Sequence, residues 1–159
     1  MRKIKFRAWD KIAEELVEIK TLDFERQKGA TCAVDYSGIN GDLKSEWELE
    51  QFTGLVDKNG KEIYENDIVQ IEYNREWGAN YDPVTLGFID YDYSISTTLW
   101  GTVRIWNSQG VVITKIFTDE PEQFDDEHPI PKRMNLSKDC YVIGNIHANP
   151  ELLEGDKNE

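Results

Sequence analysis

Nineteen residues in the middle of the chain constrain its fold most. Residues 51–69 read Q-F-T-G-L-V-D-K-N-G-K-E-I-Y-E-N-D-I-V. Two β-rich runs flank Asp57-Lys58-Asn59-Gly60, and a third follows the short turn Glu65-Asn66-Asp67. Asp at the first turn position accepts backbone hydrogen bonds, and Gly at the fourth supplies the positive φ of a bulged hairpin. Asn59-Gly60 alone also suits a two-residue type I′ turn. Both geometries give a hairpin, so the centre of the chain is strand, tight turn, strand, short turn, strand.

The flanking sequence extends this pattern. Ile4, Phe6 and Ala8 alternate with Lys3, Lys5 and Arg7, the period of a strand with one face inward. Asp10-Lys11 begins a turn, and residues 16–22 pair back as a hairpin. Trp9 is placed to cover the apolar face of that hairpin. Residues 23–45 are less regular: 24–28 suit one helical turn, 32–36 a short strand and 37–42 a loop. After the central motif, strands are expected over 68–73, 84–91, 99–106, 111–117 and 140–146, with long connections at 74–83 and 117–139. Val69, Ile71 and Tyr73 share one side of the first of these. Short strands separated by Gly, Asn and Asp favour a small barrel or sandwich, and no β-helix-β spacing or internal repeat occurs. Near the end, Asn149-Pro150-Glu151 is a helix start, with Asn as cap and Pro at the first position. Gly155 is expected to stop this helix within about a turn and a half, and Leu152 and Leu153 to dock on the body.

Three segments together resemble the YopX family: F-R-A-W-D-K at 6–11, the central motif, and V-I-G-N-I-H-A-N-P-E-L-L at 142–153. The residues that carry the likeness are Trp9, Asp10, Gly54, Asp57, Asn59, Gly60, Tyr64, Asp67, Gly144, Asn145 and Pro150. The resemblance implies a phage or prophage of Gram-positive bacteria as source. It also implies an N-terminal β-rich subdomain followed by an SH3-like β-barrel, which residues 65–71 enter and 142–146 close. Asn66 stands where the family often has Gly, and Asn tolerates the left-handed conformation that turn needs. The expected fold is therefore mainly β: an N-terminal β-hairpin subdomain over 1–64, an SH3-like barrel over 65–148, and a short C-terminal helical turn and tail over 149–159.

Composition narrows the function classes. The chain has 159 residues, 39% hydrophobic and 11% aromatic, enough for a real core. No apolar run approaches the roughly 20 residues of a membrane span, and the charged N-terminus lacks the apolar stretch of a signal peptide. A cytoplasmic location is expected, in a bacterial host as the resemblance implies, with Cys32 and Cys140 as thiols. The net charge of −13 repels nucleic-acid backbones, which disfavours direct binding to them. It serves solubility, or meets a basic protein surface.

Catalytic motifs are missing. The sequence has two histidines, His128 and His147, and no H-E-x-x-H, G-x-x-x-x-G-K-[ST] or G-x-S-x-G pattern. The best metal candidate, Asp125-Asp126-Glu127-His128 with Asp90 and Asp92 at a distance, lacks the spacing of a cation loop. Neither histidine is expected to join two carboxylates around a cavity; His147 reads as a surface or packing residue. No cofactor, metal or catalytic residue is assigned.

What remains is binding. Trp77, Tyr81, Tyr91, Tyr93, Trp100 and Trp106 crowd the second half, where core packing should claim about half of them. Trp77 and Tyr81, read as sitting in a loop with Gly78 and Asn80, are chosen as partner-facing. The acidic run supplies the other candidates: Asp119, Glu120, Glu122, Asp125, Asp126 and Glu127, read as a solvated loop. The expectation is a non-enzymatic module that binds a bacterial or phage protein, with open strand edges that favour homo-oligomers. The alternatives are an acidic inhibitor that mimics nucleic acid, and a small carboxylate-dependent hydrolase.

Overall fold

Strand β1 (Phe6–Asp10) is the spine of a first antiparallel sheet. In the computed structural model, which describes residues 3–24, 30–43 and 45–157, β1 is flanked by β2 (Glu15–Phe24) and β5 (Trp47–Val56). Beyond β2 lie β3 (Ala30–Asp35) and β4 (Asn40–Asp42), and beyond β5 lies β6 (Glu62–Tyr64). Ala8 faces Val17 on one side and Leu49 on the other and is fully buried. Ala8, Ile19, Ala33 and Trp47 form this sheet's core, flanked by Phe6, Val17, Leu22, Leu43 and Leu49.

Several sequence expectations need correction here. Ile4 precedes β1 and is exposed. Trp9 does not cover the hairpin's apolar face, because alternation turns it away from Ala8. Asn40–Asp42 is a strand and not a loop, since Asp35 accepts the N–H groups of Ser37 and Ile39 and folds the chain back on β3. Phe24 ends β2, while the rest of the helical turn expected over 24–28 lies outside the described residues.

The second sheet has the order β10-β9-β8-β7-β11. Its members are β7 (Asp67–Tyr81), β8 (Phe88–Trp106), β9 (Gly110–Phe117), β10 (Arg133–Asn135) and β11 (Cys140–Asn145). Its ladder is open: among the described residues β10 and β11 are its two edges. Ile63, Val69, Ile71, Val103, Ile113 and Cys140 make one core, so β6 of the first sheet is packed into the second. Asn66, with φ +69°, accepts from Ile146 and donates to the Val103 carbonyl, which sews the turn between the sheets into the second one.

The main departure from expectation is the hairpin of β7 and β8. The sequence pattern predicts a connection over 74–81 and strand over 84–87. Instead β7 continues to Tyr81, and residues 82–87 are the turn. β11 pairs with β7 only as far as Ile71, and β9 with β8 only as far as Trp100. Beyond those points β7 and β8 pair with each other alone, as a two-stranded arm. Both faces of such a ribbon meet solvent along much of its length, so Asn74-Arg75-Glu76 carries no apolar alternation. Cross-strand hydrogen bonds form it regardless. At the other end of the chain a 3-10 helix spans Pro150–Lys157, running through Gly155 where a stop was expected. Glycine weakens a helix without being excluded from it.

Candidate functional site

Pairing of β1 with β5 sets Arg7 opposite Glu50 and Trp9 opposite Glu48. Period two puts these four side chains on the face opposite Ala8. The turn after β6 brings Asn66 and Asp67 to the same place. Arg7 Nε donates to Glu50 Oε1 at 2.7 Å, and Arg7 Nη2 to Asp67 Oδ1 at 2.6 Å. Asn66 Nδ2 donates to Glu50 Oε2 at 2.8 Å, and Arg104 Nη1 to Asn66 Oδ1 at 2.7 Å. Asp67 Oδ2 accepts the Tyr64 N–H, and the Arg7 guanidinium lies 4.5 Å from the centre of the Tyr64 ring. Glu50 is fully buried and Asp67 nearly so. Burial opposes the charge on Arg7, but Asp67 and Glu50 outweigh it and raise its pKa. Burial pushes the Asp67 carboxyl up against the pull of Arg7.

His147 completes this cluster and meets two carboxylates, although of these three side chains the described lining of the neighbouring cleft includes His147 alone. Its Nε2 lies 3.2 Å from Glu48 Oε2 and 3.2 Å from Glu50 Oε2. Its ring stacks on Trp9, with centroids 5.2 Å apart and planes 11° apart. Trp9 and His147 line a cleft of about 690 Å3 together with Lys11, Glu14, Ile146, Ala148, Pro150 and Glu151. The sequence hid this because Glu48 and Glu50 lie on a strand segment with no motif of its own. Only their register opposite Trp9 and Arg7 reveals them. Chemically, both oxygens of Glu50 are engaged by neighbours, which suits a joint between sheets. Glu48 is more open and His147 sits at the cleft wall.

The other motif residues shape turns around this joint. Asp10 Oδ1 accepts the N–H groups of Ile12 and Ala13. Asp57 accepts those of Asn59 and Lys61, and Gly60 has φ +80°. Gly54 lies at the register shift of β5. Asn145 Oδ1 accepts from His147 and Ala148, Gly144 backs onto Asn149, and Pro150 opens the final helix. Leu152 and Leu153 are half-buried.

The partner-facing candidates divide. Tyr81 is 59% exposed near the tip of the arm. Trp77 lies on a strand and not in a loop, and it is half-buried: its ring is 5.6 Å from Tyr93 and 4.3 Å from His128. The acidic run is not a simple solvated loop. A 3-10 turn over Pro121–Gln123 is strapped across the base of the arm. Gln123 accepts from the Ser96 N–H, donates to its carbonyl, and takes the Tyr93 hydroxyl on its own carbonyl. Glu120 accepts from Thr97, and Phe124 packs 5.9 Å from Tyr73. Asp119, Glu122, Asp125, Asp126 and Glu127 remain exposed. The backbone N–H of His128, opposed by burial, holds the Asp125 carboxyl below its usual range. Asp90 and Asp92 both accept from Asn80. Among the described residues no group of three or more His, Cys, Asp or Glu is arranged to hold a metal ion.

Sequence reasoning did not single out the tip of the arm. Val84 is 89% exposed and Leu86 76%, and Phe88, Ile89 and Tyr91 are exposed beside them. The turn is well built: Asp82 Oδ1 accepts the N–H groups of Val84 and Thr85, the Asp82 N–H donates to Gly87, and the Asp82 carbonyl accepts from Leu86. The Thr85 and Val84 N–H groups hold the Asp82 carboxyl below its usual range. A register shift at Asn80/Tyr81 lets Tyr81, Phe88 and Tyr91 meet as one ring cluster, 6.0 and 4.8 Å apart.

Protein EF1440 from Enterococcus faecalis, known from its crystal structure, shares this fold. The TM-score is 0.56 over 97% of this chain and 100% of that one, at 22% identity. No curated protein matches the chain. No helix among the described residues is long and apolar enough to cross a membrane. The family model described as YopX protein matches residues 5–154, through the long segments at 74–83 and 117–139 as well as the three motifs, and the chain belongs to that family.

Proposed function

We propose that this chain is a non-enzymatic protein-binding module, encoded by a phage or prophage and acting in the bacterial cytoplasm, and that the β7–β8 arm is its binding element. One observation carries the reading. The arm ends in a hydrogen-bonded turn that holds Val84 and Leu86 outward, beside Tyr81, Phe88, Ile89 and Tyr91. A contiguous exposed apolar patch on a soluble surface marks an interaction site, and aromatic anchors are the common source of its energy. The SH3-type reading of the second sheet has related support: Leu136, next to β10, and Val142 of β11 pack on the same core, as a curled sheet requires. The test is a photo-crosslinking side chain at position 84 in cells that express the protein. An adduct is expected from position 84 and none from exposed position 109; equal adducts at both positions, or none, reject the arm.

A second reading, a small carboxylate-dependent hydrolase, draws on His147 between Glu48 and Glu50 at the wall of the cleft. It requires ester or phosphoester hydrolysis by the purified protein that His147→Ala removes and a tip variant retains.

A further inference from the structure

The molecule has a second exposed apolar feature, and its charge is opposite to that of the arm. A groove of about 580 Å3 runs between residues 3–6 and the far half of β2. Ile4, Phe6, Ile19, Leu22, Phe24 and Tyr36 make its apolar surface, and Ile4, Phe24 and Tyr36 are 75%, 64% and 68% exposed. Among the described residues its charged lining is Lys3, Lys5 and Lys20. Three lysines on one wall stand out in a chain with 31 acidic and 18 basic residues. Lys5 is already paired with Glu62 at 2.7 Å, so exposed Lys3 and Lys20 offer the unspent charge. The arm carries Asp82, Asp90 and Asp92 along the ribbon that presents its apolar tip.

We propose that the occupant of this groove is the arm of a second copy of the same chain. Val84 and Leu86 enter the apolar floor, while Asp82 and Asp90 lie against Lys3 and Lys20. This rests on the binding-arm reading above and gives it a partner. Each feature is half of an interface: apolar in the middle, charged at the rim and of opposite sign, the arrangement that sets orientation and register. A standard interface takes about 800 Å2 from each partner, which six large exposed side chains and the ribbon between them can supply. The contact is heterologous, since arm and groove are different surfaces. Copies therefore join head to tail into a ring or chain, or exchange arms reciprocally as a pair.

Sedimentation velocity of the full chain at about 100 µM, where micromolar contacts are filled, tests this directly. Wild type is expected to assemble, and less so in high salt. A tip variant, Val84→Ser with Leu86→Gly, and a groove variant, Lys3→Glu with Lys20→Glu, each weaken assembly by about tenfold or more. All four positions are exposed, so both variants should melt like wild type. Mixing the two variants restores one joint, an intact arm in an intact groove, and yields a one-to-one pair. Asp90→Lys, which leaves the Asp82 turn intact, restores part of the assembly of the groove variant. A monomeric wild type overturns the proposal, as do variants that assemble like wild type or a mixture that stays monomeric. The crosslink from position 84 separates the two levels. An adduct with a different protein, beside a monomeric wild type, ends self-docking and keeps the binding arm. No adduct at all removes both.

Discussion

Asp57 Oδ2 accepts the backbone N–H of Val142 at 2.9 Å, across 85 residues of sequence. The other oxygen of the same carboxylate accepts from Asn59 and Lys61 within the hairpin turn. One side chain thus builds the turn of the first sheet and fastens it to the edge strand of the second. Burial pushes the Asp57 carboxyl up, but the N–H groups of Val142, Lys61 and Asn59 together outweigh it and hold it below the ordinary value. A carboxyl lowered by folding contributes stability that is present above its unfolded pKa and lost as pH falls through the folded one. Asp57→Ala should cost about 2–3 kcal/mol by leaving these N–H groups without their acceptor. Its acid denaturation limb should be flatter than that of wild type. Parallel limbs for the two proteins would show that Asp57 is not the linkage.

Gly60 lies in the same turn at φ +80°, with nothing within 4 Å of where a Cβ would sit. Gly60→Val therefore meets a backbone penalty alone, about 1–2 kcal/mol. Asn59 accepts no left-handed strain, and Asn59→Ala should cost less. Thermal melts of the two variants decide the order, with about 2–4 °C per kcal/mol for a chain of this size.

How far the sequence revealed the structure depended on where each segment sits. Residues 51–69 were legible because turn chemistry and apolar runs agree there, and Asp57, Gly60 and Asn66 behave as their residue types require. The arm was illegible over 74–81 because its outer part has water on both sides, and the face at its base, with Tyr73, Trp77 and Ile95, is covered by the distant strap over 120–128 and not by a sheet. Its strand partner, not its own pattern, makes it a strand. Among the site residues, Arg7 and His147 lie inside the family-like segments 6–11 and 142–153. Their partners Glu48 and Glu50 do not, and cross-strand register is a property of two segments that neither displays alone. The acidic run looked solvated by composition. Gln123 and Phe124 within it, and His128 just after it, are the non-acidic side chains that hold it down, with Glu120 accepting from Thr97.

Arg7 is the charge that makes the joint between the sheets tolerable. It faces Glu50 and Asp67 at 2.7 and 2.6 Å, and both carboxylates are buried. Arg7→Ala leaves them uncompensated and should cost about 3–5 kcal/mol, more than the loss of Asp57 or Gly60. Chemical denaturation measures it. Lys5→Ala, one pair of residues away in a more exposed bridge to Glu62, should cost less than about 1 kcal/mol. Similar losses for the two would contradict a buried, interlocked joint.

The two cysteines differ in access. Cys140 is buried in β11, where burial first and then Asp57 and Asp139 push its thiol up to about 11. Cys32 is only half-buried. A thiol reagent applied to the native protein near neutral pH should label Cys32 first, because the reactive thiolate is scarce and shielded at Cys140. Peptide mapping reads the order, and Cys140 should become reactive only on unfolding. Early labelling of Cys140 would mean that β11 opens in the native state.

His128 fastens the acidic run to the base of the arm. Its ring lies 4.3 Å from Trp77 and 4.3 Å from Tyr93, stacked on the latter with planes 16° apart. Its backbone closes a turn in which Asp125 accepts from the N–H groups of Glu127 and His128. Each aromatic contact of this kind is worth about 0.5–1.5 kcal/mol beyond its buried area. The segment it holds reaches a buried cluster through Phe124, which has its own contact with Tyr73, so the effect of losing the His128 ring should be local. His128→Ala is expected to leave the melting temperature nearly unchanged while amide exchange over 123–128 rises about tenfold or more, as local opening becomes easier. Trp77 loses cover on one side, and its emission should shift to the red. His128→Phe, which keeps a ring in place, should restore slow exchange. If alanine and phenylalanine variants exchange alike, the ring contacts do not hold the strap and the hydrogen bonds of Gln123 do.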